Sequence, residues 1–86
     1  MVIEGRLLTS NHIIAIKEVE YSDPELRFSR ELSEALIVLC KDLSIPVPLW
    51  LNKNTKEFAQ FHSTFFDAEQ FNEKVNFERF QLKLLK

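Results

Sequence analysis

This sequence predicts an α+β domain: a small antiparallel sheet, made of an amino-terminal β-hairpin and a carboxyl-terminal strand, packed on one main amphipathic helix and one or two short helices. Three observations predict it. Two runs rich in Val, Ile and Leu flank a polar tetrad near the amino terminus, a helical apolar stripe runs from Phe28 to Leu43, and the last segment alternates apolar with polar residues. The order is β-β-α-(α-α)-β over a single domain, residues 1–86, a length that supports one hydrophobic core.

The hairpin is read at residues 2–8 and 13–20, joined through Thr9-Ser10-Asn11-His12, where Asn11 tolerates a left-handed backbone. Its second strand alternates imperfectly: Ile14 and Ile16 point one way, Ile13, Ala15, Val19 and Tyr21 the other. Either a bulge switches the faces midway or both faces are covered. Asp23-Pro24 or Ser29 can open the helix that follows, whose apolar positions are Phe28, Leu32, Ala35, Leu36, Leu39, Cys40 and Leu43. Ile37 and Val38 project away from that stripe at about 100° per residue, so something must cover them: the later aromatic segment or another subunit. Pro46 and Pro48 end the helix, because proline lacks an amide donor and forces its predecessor out of helical geometry.

An extended connector carrying Trp50 comes next, either a lid over the end of the main helix or a recognition loop. Asn54-Thr55-Lys56-Glu57 has capping-box spacing for a short helix through about Phe61, and Asp67 offers a second cap before a helix over Ala68 to Val75. The segment Phe77 to Leu84 reads as a half-buried strand, with Phe80, Leu82 and Leu84 inward, that joins the hairpin.

Composition narrows the function. Apolar residues make up 45% and charged residues 28%, a globular balance. The longest apolar stretch, Ala35 to Cys40, falls far short of the roughly 20 residues that cross a bilayer, so no membrane role is expected. Cys40 is the only cysteine and Met1 to Arg6 lack a signal-peptide pattern, so the expected compartment is the cytoplasm. Net charge is −2, and residues 50–86 carry six basic against five acidic side chains. Lys53, Lys56, Lys74, Arg79 and Lys83 interleave with aromatics but are cancelled by Glu57, Asp67, Glu69, Glu73 and Glu78, which argues against a nucleic-acid platform.

No chemistry-bearing constellation stands out. Gly5 is the only glycine, which excludes a phosphate-cradling loop. His12, His62 and Cys40 lack metal-ligand spacing, and Glu69 with Glu73 is one helical turn of solvated carboxylates. Cys40 sits mid-helix at the edge of the apolar stripe as a small hydrophobe rather than an activated thiolate. No cofactor is called for, and no catalytic residue is assigned.

Seven of the eight phenylalanines fall between Phe58 and Phe80. They form either a satellite of the core or a contact surface. The candidate protein-contact set is Ile37, Val38, Trp50, Phe61, Phe65 and Phe66, serving self-association or a protein partner. A small-molecule pocket or minimal active site near Trp50 and His62 is the alternative from another class.

The run Ile45-Pro46-Val47-Pro48-Leu49-Trp50-Leu51, with Asn54-Thr55-Lys56-Glu57-Phe58 and Thr64-Phe65-Phe66, resembles short uncharacterised proteins of Firmicute-type bacteria, in the second half of the chain more than the first. The resemblance implies a stand-alone bacterial cytoplasmic protein and brings with it no activity, ligand or site.

Overall fold

The hairpin forms as the pattern requires, and a computed structural model describing residues 1–86 shows how its mixed alternation is accommodated. Strand β1 (Val2–Thr9) pairs antiparallel with β2 (His12–Glu20), and the tip residues Ser10 and Asn11 both adopt positive φ, 51° and 63°. Two consecutive left-handed residues make the mirror-image turn whose twist matches that of the flanking strands. The register skips Ile14 between Leu7↔Ala15 and Leu8↔Ile13. The bulge thus turns Ala15 and Val19 to one face of the sheet while Ile13 and Ile16 share the other with their partners Leu8 and Arg6.

Helix α1 (Phe28–Asp42) buries Leu32, Ala35, Leu36, Leu39 and Cys40, the predicted stripe. It starts at neither of the expected caps: Arg27 is its N-cap, without a side-chain cap bond, Ser29 lies inside the first turn and Asp23-Pro24 precede the helix, where the Asp23 amide donates to Glu31 at 2.9 Å. It ends before Pro46 in a left-handed Ser44 (φ 59°), with the Ile45 amide donating to the Cys40 carbonyl at 2.9 Å and the Ser44 amide to the Lys41 carbonyl at 3.0 Å, so two of the orphaned last-turn groups are satisfied within the chain.

Helix α2 (Asn52–Phe61) begins three residues earlier than its capping-box reading, because Leu51 rather than Asn54 is the N-cap and the Asn54 side chain, from inside the helix, reaches back to the Leu51 amide at 2.9 Å. His62 (φ 55°) closes the helix, and the chain then enters strand β3 (Ser63–Asp67), which the sequence reading missed. The expected helix over Ala68 to Val75 is only a 3₁₀ turn, Ala68–Gln70. The Gln70 side chain is drawn back to accept from the Asp67 amide at 3.0 Å, Phe71 is extended, and Phe71 and Phe77 pack edge to face at 5.3 Å to hold the rest of the segment as an irregular loop. Strand β4 (Arg79–Leu84) follows the predicted alternation, with Phe80 and Leu82 fully buried and Leu84 partly so.

The four strands form one antiparallel sheet in the order β2-β1-β4-β3, so the carboxyl-terminal strand does join the hairpin, and β3 extends it. The observed architecture is α+β, four strands with two helices on one face. That face carries Ile3, Leu7, Val19, Phe80, Leu82 and Phe66 against α1 and α2. Gly5 lies among them because a Cβ there would stand 2.7 Å from the Phe80 ring and 2.9 Å from a Leu39 methyl; α1 approaches β1 too closely for any side chain. The opposite face has no helix. Across its middle runs the row Ile16–Arg6–Gln81–Phe65, one residue from each strand.

Candidate functional site

Helices α1 and α2 stand on the same face of the sheet but do not close against each other. Between them lies an apolar groove of about 500 Å³. Phe28, Leu32, Leu36 and Ile37 of α1 form one wall, Phe58 and Ala59 of α2 the other, and the connector closes an end with Val47, Pro48 and Trp50. Its polar lining is limited to the hydroxyls of Ser29, Ser33 and Thr55; no ionisable group is present. An aromatic series leads from its lip into the core, with ring centroids 6.5 Å apart for Phe28–Phe58, 5.9 Å for Trp50–Phe58, 5.6 Å for Trp50–Phe66 and 5.5 Å for Phe66–Phe80.

Trp50 is held in place from both sides of its backbone. The Leu49 amide donates to the Gln70 carbonyl at 2.7 Å, and the Gln70 side-chain amide donates to the Leu49 carbonyl at 2.9 Å. On the other side the Leu51 amide donates to Asn54 Oδ1. Asn54 is fully buried and is the hub of this network: its Nδ2 donates to Thr64 Oγ1 at 2.7 Å and to the Phe65 carbonyl at 3.0 Å, while its Oδ1 also accepts from Gln70 Nε2 at 3.0 Å. Thr64 in turn donates to Glu57. Every member has a partner, so the network costs little to bury and fixes the connector, α2 and β3 to one another. The Trp50 indole donates to Thr55 Oγ1 at 2.8 Å, which spends its only donor inside the groove wall and leaves the ring face as contact surface.

The six predicted contact residues separate into three environments. Ile37 (46% exposed) and Trp50 (37% exposed) come together at the groove. Val38 is half-buried against the core, and Phe66 is fully buried, stacked on Phe80, so Phe66 offers no contact surface in the folded chain. Phe65 lies on the opposite face of the sheet beneath the Arg79 guanidinium, 4.5 Å from its ring centre, and Phe61 at the end of α2 is 63% exposed. The strand β3 causes this division: its alternation sends Thr64 and Phe66 inward and Phe65 outward. Sequence reasoning missed Phe28, Leu36 and Phe58 as groove residues, because the core-stripe periodicity that identifies them carries no sign of a gap between two helices.

Cys40 is fully buried on α1, and burial pushes its thiol up to about 12, so it stays protonated and unreactive at neutral pH. His62 is tied through its backbone, donating to the Phe58 carbonyl at 2.9 Å and accepting from the Leu84 amide at 2.8 Å; it is not among the groove residues. Of the five cations considered for nucleic acid, Lys53 pairs with Asp67 at 3.1 Å and Arg79 covers Phe65. No helix is long and apolar enough to cross a membrane.

Comparison with protein-family models, with curated proteins and with solved structures finds no match to this chain.

Proposed function

We propose that this chain is a non-catalytic protein-interaction domain of the cytoplasm, and that the groove between α1 and α2 receives a cluster of apolar side chains from a partner polypeptide. The observation that carries this reading is the preformed groove itself, walled by aromatic and aliphatic side chains, free of ionisable groups, and closed by a Trp50 that the Asn54–Gln70 network holds rigid. Rigid aromatic anchors beside apolar pockets are what protein interfaces use, and a groove fixed in advance spares the ordering cost of binding. An amphipathic helix with large residues at i, i+3 and i+4 fits two helical walls with hydroxyl-only polarity. The buried, unpaired Cys40 is compatible with a reducing compartment.

Selection from a displayed library of helical peptides tests the reading. Bound peptides are expected to share two or three large apolar side chains on one face and to shift the Trp50 indole resonance. Ile37→Asp is expected to weaken them at least about tenfold, about 1.4 kcal/mol, while the folding free energy changes by less than about 0.5 kcal/mol. If the groove takes up a small lipophilic probe but no peptide, or if the peptides bind Ile37→Asp equally well, the reading fails.

A further inference from the structure

The two edges of the sheet are finished differently. On the β3 edge the outward backbone groups are taken by the chain's own side chains: the Phe65 amide donates to Glu57 Oε1 at 3.4 Å, the Phe65 carbonyl accepts from Asn54 Nδ2 at 3.0 Å, and the Asp67 amide donates to Gln70 Oε1 at 3.0 Å. The β2 edge has no such cover. The Tyr21 amide donates to the Met1 carbonyl at 2.9 Å and the Met1 amino group donates to the Tyr21 carbonyl at 2.7 Å, so this pair exchanges both of its hydrogen bonds. In an antiparallel ladder such pairs alternate with pairs that exchange none. The unbroken register from Val2↔Glu20 to Leu7↔Ala15 therefore turns the backbones of Ala15, Lys17 and Val19 toward β1, and those of Ile16, Glu18 and Glu20 outward. The amides and carbonyls of these last three residues have no partner within the chain. They span roughly 14 Å of regular strand, which the bulge at Ile14 ends.

An open strand edge is a template for another strand, and its side chains decide which one. Ile16, Glu18 and Glu20 share the face without a helix; Ile16 is half-exposed, and both carboxylates are exposed and outside every ion pair of the chain. Lys17 stands on the helix side, likewise exposed and without an ion pair. Residues directly opposite across a ladder have Cβ atoms about 5 Å apart, so like charges there repel. A second copy of β2 is disfavoured on this ground in nearly every register. Glu18 opposite Glu18 or Glu20 sets acid on acid, Ile16 opposite Glu18 sets Lys17 on Lys17, and Ile16 opposite Ile16 runs Glu18 onto the bulge at Ile14. A strand that answers both faces carries basic residues opposite Glu18 and Glu20, an acid opposite Lys17, and an apolar residue opposite Ile16.

We propose that β2 receives an extended segment of a partner polypeptide as a fifth, antiparallel strand of the sheet, with that alternation of charge. The outward amides and carbonyls of Ile16, Glu18 and Glu20 supply the attachment, and the charges set register and choice of partner. So short a contact belongs among weak and transient associations. It does not rest on what fills the groove between α1 and α2.

Titration of isotope-labelled protein with a blocked peptide whose centre reads Lys-Val-Lys-Glu-Val, its two lysines facing Glu20 and Glu18, is the direct test. The expected dissociation constant is on the order of 100 μM. Near saturation the amides of Ile16, Glu18 and Glu20 shift and exchange their hydrogens about tenfold more slowly, while the Trp50 indole resonance stays in place. Methylating the backbone nitrogens of the two lysines keeps the charge and removes the donors; Glu18→Lys with Glu20→Lys keeps the backbone and reverses the charge. Each change weakens binding at least about tenfold, and a peptide with glutamates in place of the two lysines binds the double variant within about threefold of the original pair. Thermal melts confirm that the double variant folds. No binding at about 1 mM peptide, a methylated peptide that binds equally well, a double variant that still prefers the lysines, or a response at Trp50 in place of the three amides would each overturn the proposal.

Discussion

On strand β4 the fully buried Leu82 sits between Gln81 and Lys83, which are half-open, and on β2 the buried Val19 lies three residues from a half-exposed Ile16. The same strands build two faces, and what separates these residues is where the helices stand rather than how apolar they are. Isoleucine is no less hydrophobic than valine; Ile16 lies three residues from Val19 in one unbroken register, so alternation places it opposite Arg6 on the side without a helix, and the bulge at Ile14 puts Ile13 on that side too. The covered face is defined by close packing, to the point that Gly5 is the largest residue its position admits. The uncovered face is held together by pairs that lie flat on it, Arg6 on Glu4 and Arg79 on Phe65.

Truncating two neighbours on one strand should separate the covered face from the uncovered one most strongly. Leu82→Ala is expected to lower the unfolding free energy by about 2–5 kcal/mol, through lost transfer energy and the cavity left in a core that cannot collapse around it. Gln81→Ala, one residue away, is expected to change it by less than about 0.5 kcal/mol. Urea denaturation of both variants reads the difference directly, and equal effects would contradict the division of the sheet into two faces.

An intermediate effect is expected at Asn54, where the covered side is polar. Asn54→Ala strands Gln70 Nε2 and the Leu51 amide without that acceptor and should cost about 1–3 kcal/mol. Amide hydrogen exchange at Leu51 and the near-ultraviolet dichroism of Trp50 should change with it, since the connector loses its anchor while the uncovered face is untouched.

A last effect is silent at neutral pH and appears only in alkali. The Cys40 thiol is raised by burial from 9.0 to about 12. Because the folded state holds the proton longer than the unfolded state, its contribution is complete below pH 9 and is lost as pH climbs toward 12. Wild-type protein should therefore lose stability over that window relative to Cys40→Ala, and an aromatic disulfide reagent should label Cys40 near neutral pH only as fast as the chain opens.

Much of this architecture was legible in the residues. The helical stripe of α1, the proline stop and the alternation of β4 each carry a single physical meaning and have a counterpart in the fold, while the irregular spacing on β2 allowed a bulge or two covered faces and corresponds to a bulge. Strand β3 was not legible, because Ser63 to Asp67 is five residues long, follows a helix without glycine or proline, and takes its strand character from pairing with β4, a long-range contact that local propensity does not record. The helix expected after Asp67 failed for a related reason: the Gln70 side chain is engaged with the connector and with Asn54, so the cap signal was real but led to a single turn. Of the candidate site, Ile37 and Trp50 could be picked out because their exposure conflicts with their chemistry. The groove between them could not, since a gap between two helices depends on how far apart the sheet holds them.

The Asn54–Gln70 network has a consequence in time as well as in space. None of its hydrogen bonds spans more than 21 residues, whereas the centre of the sheet needs Leu7 to find Phe80 across nearly the whole chain. Loop-closure entropy grows with the length closed, so the connector, α2 and β3 can assemble while the amino-terminal hairpin is still searching for its partner strand. The only tryptophan belongs to that early unit and the only thiol to the late one. A refolding chain would thus signal its first half by indole emission and the closing of its sheet by the disappearance of a reactive cysteine.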